Sequence, residues 1–147
     1  MKRKILVIND DVALLEAYKQ ILSLGEYECL LASNNEEARR ALSEETLDLI
    51  IQDLHRPIED GIEFYAYLQE KHEYRDIPII IISAWVPDSI SSIGDDPAKR
   101  KYRVVLSEIS KLSDKHSFPV IIEVEGYLTT PIRSEEVLNL IGSCLES

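Results

Sequence analysis

The amino-acid sequence predicts an α/β protein built on a parallel β-sheet with helices on both faces. Short apolar segments recur along the chain, and stretches with helical periodicity separate them. A strand followed by a helix and then by another strand favours parallel pairing, because the crossover packs back on the sheet. The length of 147 residues suits one core. We therefore expect a single domain over residues 1–147, in which five strands alternate with five helices.

Four strands are predicted from short apolar segments. The first, Lys4–Ile8, is continuous and rich in β-branched residues, which is typical of a strand that is buried on both faces of a sheet. The fourth run is the most apolar segment of the chain. The four predicted strands are Lys4–Ile8, Tyr27–Ala32, Leu47–Gln52 and Ile77–Ile82.

Helical periodicity predicts a helix after each of the first three strands. In the first helix one apolar stripe is formed by Leu14, Leu15, Tyr18, Ile21 and Leu22, and Gly25 follows the end of the helix. The segment Ser33-Asn34-Asn35 can cap the second helix, whose first turn carries the acidic residues that the helix dipole favours. The three predicted helices are Asp11–Leu24, Glu36–Glu45 and Gly61–His72.

Between residues 84 and 116 the pattern is less regular. Residues 84–96 are rich in Ser, Gly, Asp and Pro, which predicts a loop. Asp96 followed by Pro97 is a favourable helix start. The expected helix runs to residue 116 along an apolar stripe formed by Tyr102, Val105, Leu106, Ile109 and Leu112.

The C-terminal part of the chain is expected to complete the sheet. The apolar segment Pro119–Val124 is predicted as the fifth strand, and Gly126–Leu128 either belongs to that strand or replaces it. Ser134 can cap a last helix, which is predicted over Glu135–Leu145.

The chain is acidic, with 16 basic and 27 acidic side chains and a formal net charge of -11. This charge argues against a general nucleic-acid binder, since phosphate backbones are held by lysine and arginine. No apolar run is long enough to span a bilayer, and the N-terminus lacks the pattern of a secretory signal. Cys29 and Cys144 are too few for a disulfide framework or a zinc site. We expect a cytoplasmic protein that contacts neither nucleic acid nor membrane directly.

Polar side chains follow four of the predicted strands. In a parallel sheet the carboxyl ends of the strands meet at one edge, where ligands bind. Asp10 and Asp53 would approach each other there, which is unfavourable for two carboxylates unless a cation bridges them. Mg²⁺ prefers oxygen ligands, and an aspartate that binds it can attack phosphorus. The segments at this edge are Asn9-Asp10-Asp11, Asp53, Ser83 and Thr129-Thr130-Pro131.

Four segments resemble the signature segments of the response-regulator receiver domain of two-component signalling. They are KILVINDD, DLIIQDLHRPIEDGIEF, IPIIIISA and GYLTTPI, in the order that the family has. The resemblance implies a flavodoxin-like (βα)5 doubly wound sheet with strand order 2-1-3-4-5. It also implies Mg²⁺ as the cofactor, a histidine kinase or a phosphotransfer protein as the phosphodonor, and a downstream protein target.

Five positions match functional residues of the family, and the resemblance implies their roles. Asp53 matches the phosphoacceptor, and Asp10 matches the second acid of the metal-binding pair. His55 matches the position whose main-chain carbonyl contacts the metal. Ser83 matches the switch hydroxyl and Tyr127 the switch aromatic residue. Phosphorylation would then alter a protein-binding surface around the last two helices and the fifth strand.

The sequence departs from the family's pattern in the site and in one connection. Asn9 stands where the family usually has the first acid, and Thr130 stands where it has a lysine that pairs with the phosphoryl group. One carboxylate and one lysine are both lost, so the formal charge of the site is unchanged. Asn9 can still accept a hydrogen bond from metal-bound water. We expect weaker metal affinity, slower phosphorylation and poorer coupling, and an extended connection over Ala84–Gly126 between the fourth and fifth strands.

Two alternatives to a phosphorylated receiver remain open. One is a degenerate receiver that acts as a phosphorylation-independent protein-binding module. The other is an enzyme, a phosphatase or phosphotransferase with an aspartate nucleophile. Such an enzyme would need a second acid two residues after Asp53, where His55 stands. We therefore expect a signalling domain rather than an enzyme.

One basic cluster interrupts the acidic chain. Its members are Lys99, Arg100, Lys101 and Arg103, which the helix prediction places in the first turns of a helix. Cations are disfavoured there by the helix dipole. The cluster is either a solvated face balanced by nearby acids or a docking patch for an acidic partner.

Overall fold

The computed structural model describes residues 2–54, 58–94, 100–107 and 120–145. In these ranges the chain forms eight strands and four helices. Their order is β1 (Lys4–Ile8), α1 (Val12–Leu24), β2 (Glu28–Ala32), α2 (Asn35–Glu44), β3 (Leu49–Asp53), α3 (Ile58–Glu70), β4 (Ile79–Ser83), β5 (Ser89–Ile93), β6 (Lys101–Leu106), β7 (Val120–Val124), β8 (Gly126–Thr129) and α4 (Ser134–Leu145).

Five strands form the expected parallel sheet, in the order β2-β1-β3-β4-β8. Every neighbouring pair in this sheet is parallel. The fold class and the strand order 2-1-3-4-5 are therefore confirmed, with β8 as the fifth strand. Of the two readings left open for Gly126–Leu128, replacement is correct. The prediction of Pro119–Val124 as the fifth strand was wrong, because β7 pairs antiparallel with β6 in a second sheet.

The parallel sheet separates two apolar cores. Along β1, Ile5 and Val7 face a core shared with α1 and α4, whereas Leu6 and Ile8 face a core shared with α2, α3 and the second sheet. All four side chains are buried, which explains why this strand is a continuous apolar run. Full burial of one such side chain stabilises the fold by about 1.5–3 kcal/mol.

The second sheet is antiparallel, has the strand order β5-β6-β7, and lies in the long connection between β4 and β8. It corrects two predictions. The expected loop at residues 84–96 contains β5, and the expected helix through Tyr102 and Leu106 is replaced at these residues by β6. Asp96, Pro97, Ile109 and Leu112, which also belonged to that helix prediction, lie outside the described residues.

The periodicity of β6 explains the error. Tyr102, Val105 and Leu106 have helical spacing, but the buried side chains of this segment are Val104 and Leu106. A spacing of two residues is that of a strand. The adjacent β-branched pair Val104-Val105 also favours an extended backbone.

The turn between β7 and β8 joins the two sheets. The Glu125 amide donates to the Ile79 carbonyl at 2.9 Å, and a carboxylate oxygen of Glu125 accepts from the Ile79 amide at 3.0 Å. One residue thereby binds both main-chain groups at the start of β4. In the part of the chain that the structure describes, no helix is long and apolar enough to cross a membrane.

Candidate functional site

The predicted polar residues meet at the carboxyl edge of the parallel sheet. The register places Ile8 beside Gln52, Asp53 beside Ile82, and Ser83 beside Thr129. The ends of β1, β3, β4 and β8 are therefore level with one another. This brings together five of the sequence-predicted site residues: Asn9, Asp10, Asp53, Ser83 and Thr130.

The segment after β1 presents one buried amide and one exposed carboxylate. Asn9 is 3% exposed, and its side-chain oxygen accepts a hydrogen bond from the Asp11 amide at 2.8 Å. Asp10 is exposed at the sheet edge. The Asp11 carboxylate accepts from Ala13 and Leu14 amides and caps α1. Asp10 is therefore the carboxylate of this segment that is available to a ligand.

Asp53 ends β3, between the ends of β1 and β4, and is half-buried. The negative charge of Asp53 acts on Tyr18 of α1, a residue that is 4% exposed. Burial raises the pKa of Tyr18, and the negative charge of Asp53 raises it further. Tyr18 therefore stays a neutral phenol beside this carboxylate. Sequence reasoning placed Tyr18 in the core by its helical spacing and missed this proximity.

The C-terminal end of β3 lies close to the first turns of α3. A Cβ atom at Gly61 would lie 2.4 Å from the Leu54 carbonyl oxygen, so only glycine fits this approach of α3 to the end of β3. The Gln52 side-chain amide donates to the Gly61 carbonyl at 2.8 Å. The connecting residues His55 and Pro57, including the carbonyl of His55 that was predicted to contact the metal, lie outside the described residues.

Ser83, Trp85 and Tyr127 are joined by hydrogen bonds. Ser83 is 1% exposed, and its hydroxyl accepts from the Trp85 amide at 3.0 Å. The Tyr127 hydroxyl donates to the Trp85 carbonyl at 2.6 Å. Burial raises the pKa of Tyr127, and a hydrogen bond from Ser83 opposes that increase. The sequence pointed to Ser83 and Tyr127 but not to Trp85, which acts through main-chain groups that every residue type has.

Thr130 lies just beyond β8 and is exposed. Its amide donates to the Ser83 carbonyl at 2.9 Å, and its bond to Pro131 is cis. Thr130 is thus anchored beside Ser83, with its hydroxyl as the only side-chain polar group at this position. It offers the site a hydrogen bond but no positive charge.

The donor set at this edge fits a hydrated magnesium ion better than a transition metal. Among the described residues, no group of three or more His, Cys, Asp and Glu side chains could hold a metal ion. Asp10 and Asp53 supply carboxylates from adjacent strand ends, and Asn9 has one acceptor position of its amide oxygen left. Mg²⁺ binds through one or two carboxylates and retains several waters, which matches this set.

Two members of the basic cluster, Lys101 and Arg103, lie outside this site and on β6 rather than on a helix, which corrects their predicted location. Lys101 pairs with Glu125 at 3.9 Å and Arg103 with Glu123 at 4.0 Å. Arg100 is exposed, and Lys99 lies outside the described residues. Both described pairs support the reading of a solvated face that acids balance.

Comparison with known proteins identifies similar sequences and similar folds. Residues 5–93 match the response regulator receiver domain. The probable transcriptional regulator ycf27 of Porphyridium aerugineum is 30% identical over 152 residues, which cover 92% of this chain and 62% of that protein. The transcriptional regulatory protein KdpE of Staphylococcus aureus is 26% identical over 148 residues, which cover 94% of this chain and 63% of that protein. The chain thus spans less than two thirds of the length of either relative.

A solved structure supports the fold. The chemotaxis response regulator CheY4 of Vibrio cholerae superposes with a TM-score of 0.68 at 20% identity, covering 99% of this chain and all of that one. At this identity the similarity concerns the arrangement of strands and helices.

Proposed function

Because the chain belongs to the family of response regulator receiver domains, we propose that it accepts a phosphoryl group on Asp53 within a two-component phosphorelay. The observation that carries this proposal is the meeting of Asp10, Asp53 and Ser83 at one sheet edge, with Ser83 bonded to Tyr127. A nucleophile, a second metal-binding carboxylate and a hydroxyl that can sense the product are thereby combined.

The proposed reaction transfers a phosphoryl group to a carboxylate. An oxygen of Asp53 forms the new bond to phosphorus, and the donor's imidazole nitrogen leaves with the electron pair of the broken bond. Mg²⁺, held by Asp10, Asp53 and the carbonyl of His55, would neutralise charge on the transferring group. Asp53 is half-buried, so the product is partly shielded from water.

Asn9 is expected to weaken the metal site without abolishing it. Its side-chain oxygen already accepts the Asp11 amide, which leaves one acceptor position for a metal-bound water. The amide has no charge, so the attraction between this position and a divalent cation is smaller than that of a carboxylate. We therefore expect Mg²⁺ affinity below that of receivers that have an acid here.

The hydrogen bonds of Ser83 provide a route from the phosphoryl group to the surface. The Ser83 hydroxyl accepts from the Trp85 amide, and a hydrogen bond with Ser83 opposes the increase in the pKa of Tyr127. The Ser83 hydroxyl has one hydrogen to donate. A phosphoryl oxygen on Asp53 would compete for the same hydrogen. Once Ser83 turns to the phosphoryl group, Tyr127 keeps only its bond to Trp85. The proposed signal is the resulting movement of the Tyr127 side chain.

The surface that this movement would alter differs from the one expected from the sequence. The last helix and the fifth strand are α4 and β8, as expected. In place of the penultimate helix, the antiparallel sheet packs beside them and buries Val104 and Leu106 against the shared core. A downstream protein would therefore meet α4, β8 and this sheet.

The proposed partners are a histidine kinase or phosphotransfer protein as donor and a protein as target, and the proposed location of this chain is the cytoplasm. Receiver domains are signalling modules, and we propose no enzymatic turnover here. The names of ycf27 and KdpE refer to transcription. These names give no support to the expectation that direct contact with nucleic acid is absent. That expectation rests on the negative charge of this chain alone.

Intact-mass spectrometry after incubation with MgCl₂ and acetyl phosphate tests the proposal. We expect the wild type to gain one phosphoryl mass, and Asp53→Asn to gain none. Asp76→Asn is the matched control, because this exposed aspartate precedes β4 at the opposite edge of the sheet. A wild type that gains no phosphoryl mass at saturating Mg²⁺ and phosphodonor would favour the degenerate, phosphorylation-independent module instead. Steady hydrolysis of the phosphodonor in many turnovers would revive the enzyme alternative.

A further inference from the structure

Among the described residues, no strand pairs with the outer edge of β5 in the antiparallel sheet, and a pocket lies beside this edge. We propose that β5 and this pocket form a docking site for an extended peptide segment that carries apolar and basic side chains and adds a strand to the sheet. This inference names the chemistry of the downstream partner. Its regulatory part rests on the proposed function, because it requires phosphorylation of Asp53.

The two edges of this sheet differ. The outer edge of β7 is covered by α3, where the Tyr65 hydroxyl donates to the Glu123 carbonyl at 3.2 Å and accepts from the Glu123 amide at 2.7 Å. Within the described ranges β5 pairs with β6 alone. Its sequence, SISSI, has no charged residue and no proline, the two features that commonly protect an edge strand from pairing.

The register shows which main-chain groups β5 presents at its edge. Both main-chain groups of Glu123 point away from β6, so the facing pair Arg103–Glu123 is not hydrogen-bonded. In antiparallel strands the main-chain groups of Arg103 must then point toward β5, where it pairs with Ser91. Because successive residues alternate, the amides and carbonyls of Ile90 and Ser92 point outward. They are the groups that an added strand would bond.

The pocket lies under the same edge. It has a volume of about 480 Å³. Ile90 and Tyr102 of the antiparallel sheet line one side, and Leu128 of β8 and Leu140 of α4 line the other. Ile90 is 49% exposed although its strand neighbour Val104 is fully buried. In a strand paired with β5, the residue opposite Ile90 would place its side chain on the same face. That face opens into the pocket.

The charge around the pocket favours a basic partner. Among the described residues, Glu136 is the only charged one that lines it, and the chain has a net charge of -11. The described cations of the sheet, Lys101 and Arg103, pair with Glu125 and Glu123 rather than lining the pocket. A segment with an apolar side chain for the pocket and a cation near Glu136 is therefore complementary, whereas an acidic segment or a second copy of this acidic chain is repelled.

Tyr127 connects this site to phosphorylation. Its ring lines the pocket, and its hydroxyl is bonded to Trp85 and Ser83. A movement of Tyr127 on phosphorylation of Asp53 would change the shape of the pocket. Affinity for the extended segment is therefore expected to differ between the two states.

Fluorescence anisotropy with a labelled eight-residue peptide tests the docking site directly. The probe alternates valine with lysine and threonine, and the full chain is titrated into it. We expect saturable binding that Ile90→Lys weakens about tenfold or more, a loss of ~1.4 kcal/mol. Ser92→Pro, which removes an outward amide without removing a bond to β6, should weaken it similarly. Ile121→Lys is the matched control, since Ile121 is 57% exposed on β7 of the same sheet, and it should bind as the wild type does.

Further measurements separate the possible failures. A probe with glutamate in place of lysine should not bind, and Glu136→Gln should weaken binding of the lysine probe. The inference is overturned if the lysine probe shows no saturable binding, or if Ile90→Lys and Ile121→Lys act alike.

A wild-type dimer in sedimentation velocity that Ile90→Lys dissociates would also overturn the inference, because the occupant would then be a second copy. Equal peptide affinity of the phosphorylated and unphosphorylated protein would uphold docking and refute its regulation. Docking without any phosphoryl transfer to Asp53 would refute only the proposed function.

Discussion

The Tyr127 hydroxyl donates a hydrogen bond to the main-chain carbonyl of Trp85 at 2.6 Å. The Trp85 amide donates in turn to the Ser83 hydroxyl at 3.0 Å. Trp85 therefore links the end of β4 to β8 through its two main-chain groups. A phosphoryl oxygen near Ser83 would be a new acceptor for the Ser83 hydroxyl at one end of this link.

Removal of the Tyr127 hydroxyl breaks the bond to Trp85. In Tyr127→Phe the Trp85 carbonyl loses its donor, so we expect the free energy of unfolding to fall by about 1–3 kcal/mol. Urea denaturation followed by circular dichroism measures the change. Tyr27→Phe is the control, because Tyr27 is also partly buried but its hydroxyl makes no hydrogen bond to another described residue. Equal losses in the two variants would contradict the contribution of the Tyr127–Trp85 bond.

The close approach of Gly61 to Leu54 predicts opposite effects for two glycine substitutions. The Cβ of Gly61→Ala would meet the Leu54 carbonyl oxygen at 2.4 Å, and a main-chain atom cannot move aside cheaply. We expect a loss of about 1–3 kcal/mol in stability. Nothing lies within 4 Å of a Cβ at Gly142 in α4, so Gly142→Ala should gain up to about 1 kcal/mol from helix propensity. Urea midpoints of both variants decide the matter, and a stabilising Gly61→Ala would disprove the contact.

Glu125 predicts a pH-dependent difference in stability. Burial raises the pKa of Glu125 above its ordinary value of 4.5, with the Ile79 amide and Lys101 opposing the increase. A carboxyl that binds its proton more tightly in the folded state loses stability as the pH rises from 4.5 through the raised pKa. The neutral amide of Glu125→Gln can still accept from Ile79 and lacks this loss. The stability of Glu125→Gln relative to the wild type should therefore increase with pH over that window.

Urea denaturation at acidic and neutral pH measures this difference, since other titrating groups cancel between the two proteins. Glu123→Gln controls for the loss of an ion pair from the same sheet, because it removes the pair with Arg103. A difference between Glu125→Gln and the wild type that stays constant with pH would contradict the role of burial.

The sequence was sufficient to predict the parallel sheet, because three of its strands, β1, β3 and β4, are buried on both faces. Continuous runs such as Lys4–Ile8 can be recognised without knowledge of their partners, and their predicted boundaries differ little from those observed. The antiparallel sheet could not be predicted in the same way. Its strands have one exposed face, and in β6 the positions Tyr102, Val105 and Leu106 fit a helical stripe as well as an edge-to-core alternation. Only packing against the core of α3 decides between them.

In the candidate site, the residues that act through their side chains were predictable from the sequence, whereas the main-chain contacts were not. Asp10, Asp53 and Ser83 follow apolar runs, so the rule that parallel strand ends share an edge places them together. The Trp85 main-chain groups and the use of the Asn9 oxygen by Asp11 depend on backbone geometry that residue types do not encode. The chemistry assigned to these residues is tested by phosphoryl transfer rather than by their positions.

Thr130 predicts a gain of function on substitution. The residue is exposed beside Ser83, and its main-chain bond to the Ser83 carbonyl does not involve its side chain. A lysine at this position would offer a cation to a phosphoryl group on Asp53. A hydrogen bond to a charged group contributes about 1.5–3 kcal/mol. If this whole contribution stabilises the transition state, Thr130→Lys should accelerate phosphorylation by acetyl phosphate about 10- to 100-fold.

Time-resolved intact-mass spectrometry at fixed Mg²⁺ measures this rate. Thr46→Lys is the matched control, because Thr46 is also exposed and adds the same charge before the start of β3, at the opposite edge of the parallel sheet. The length of β3 separates Thr46 from Asp53, so a lysine there should leave the rate almost unchanged. Equal acceleration by both variants would show that net charge alone limits the reaction. An unchanged rate in Thr130→Lys would mean that this position does not face the phosphoryl group, and the role inferred for it would fall.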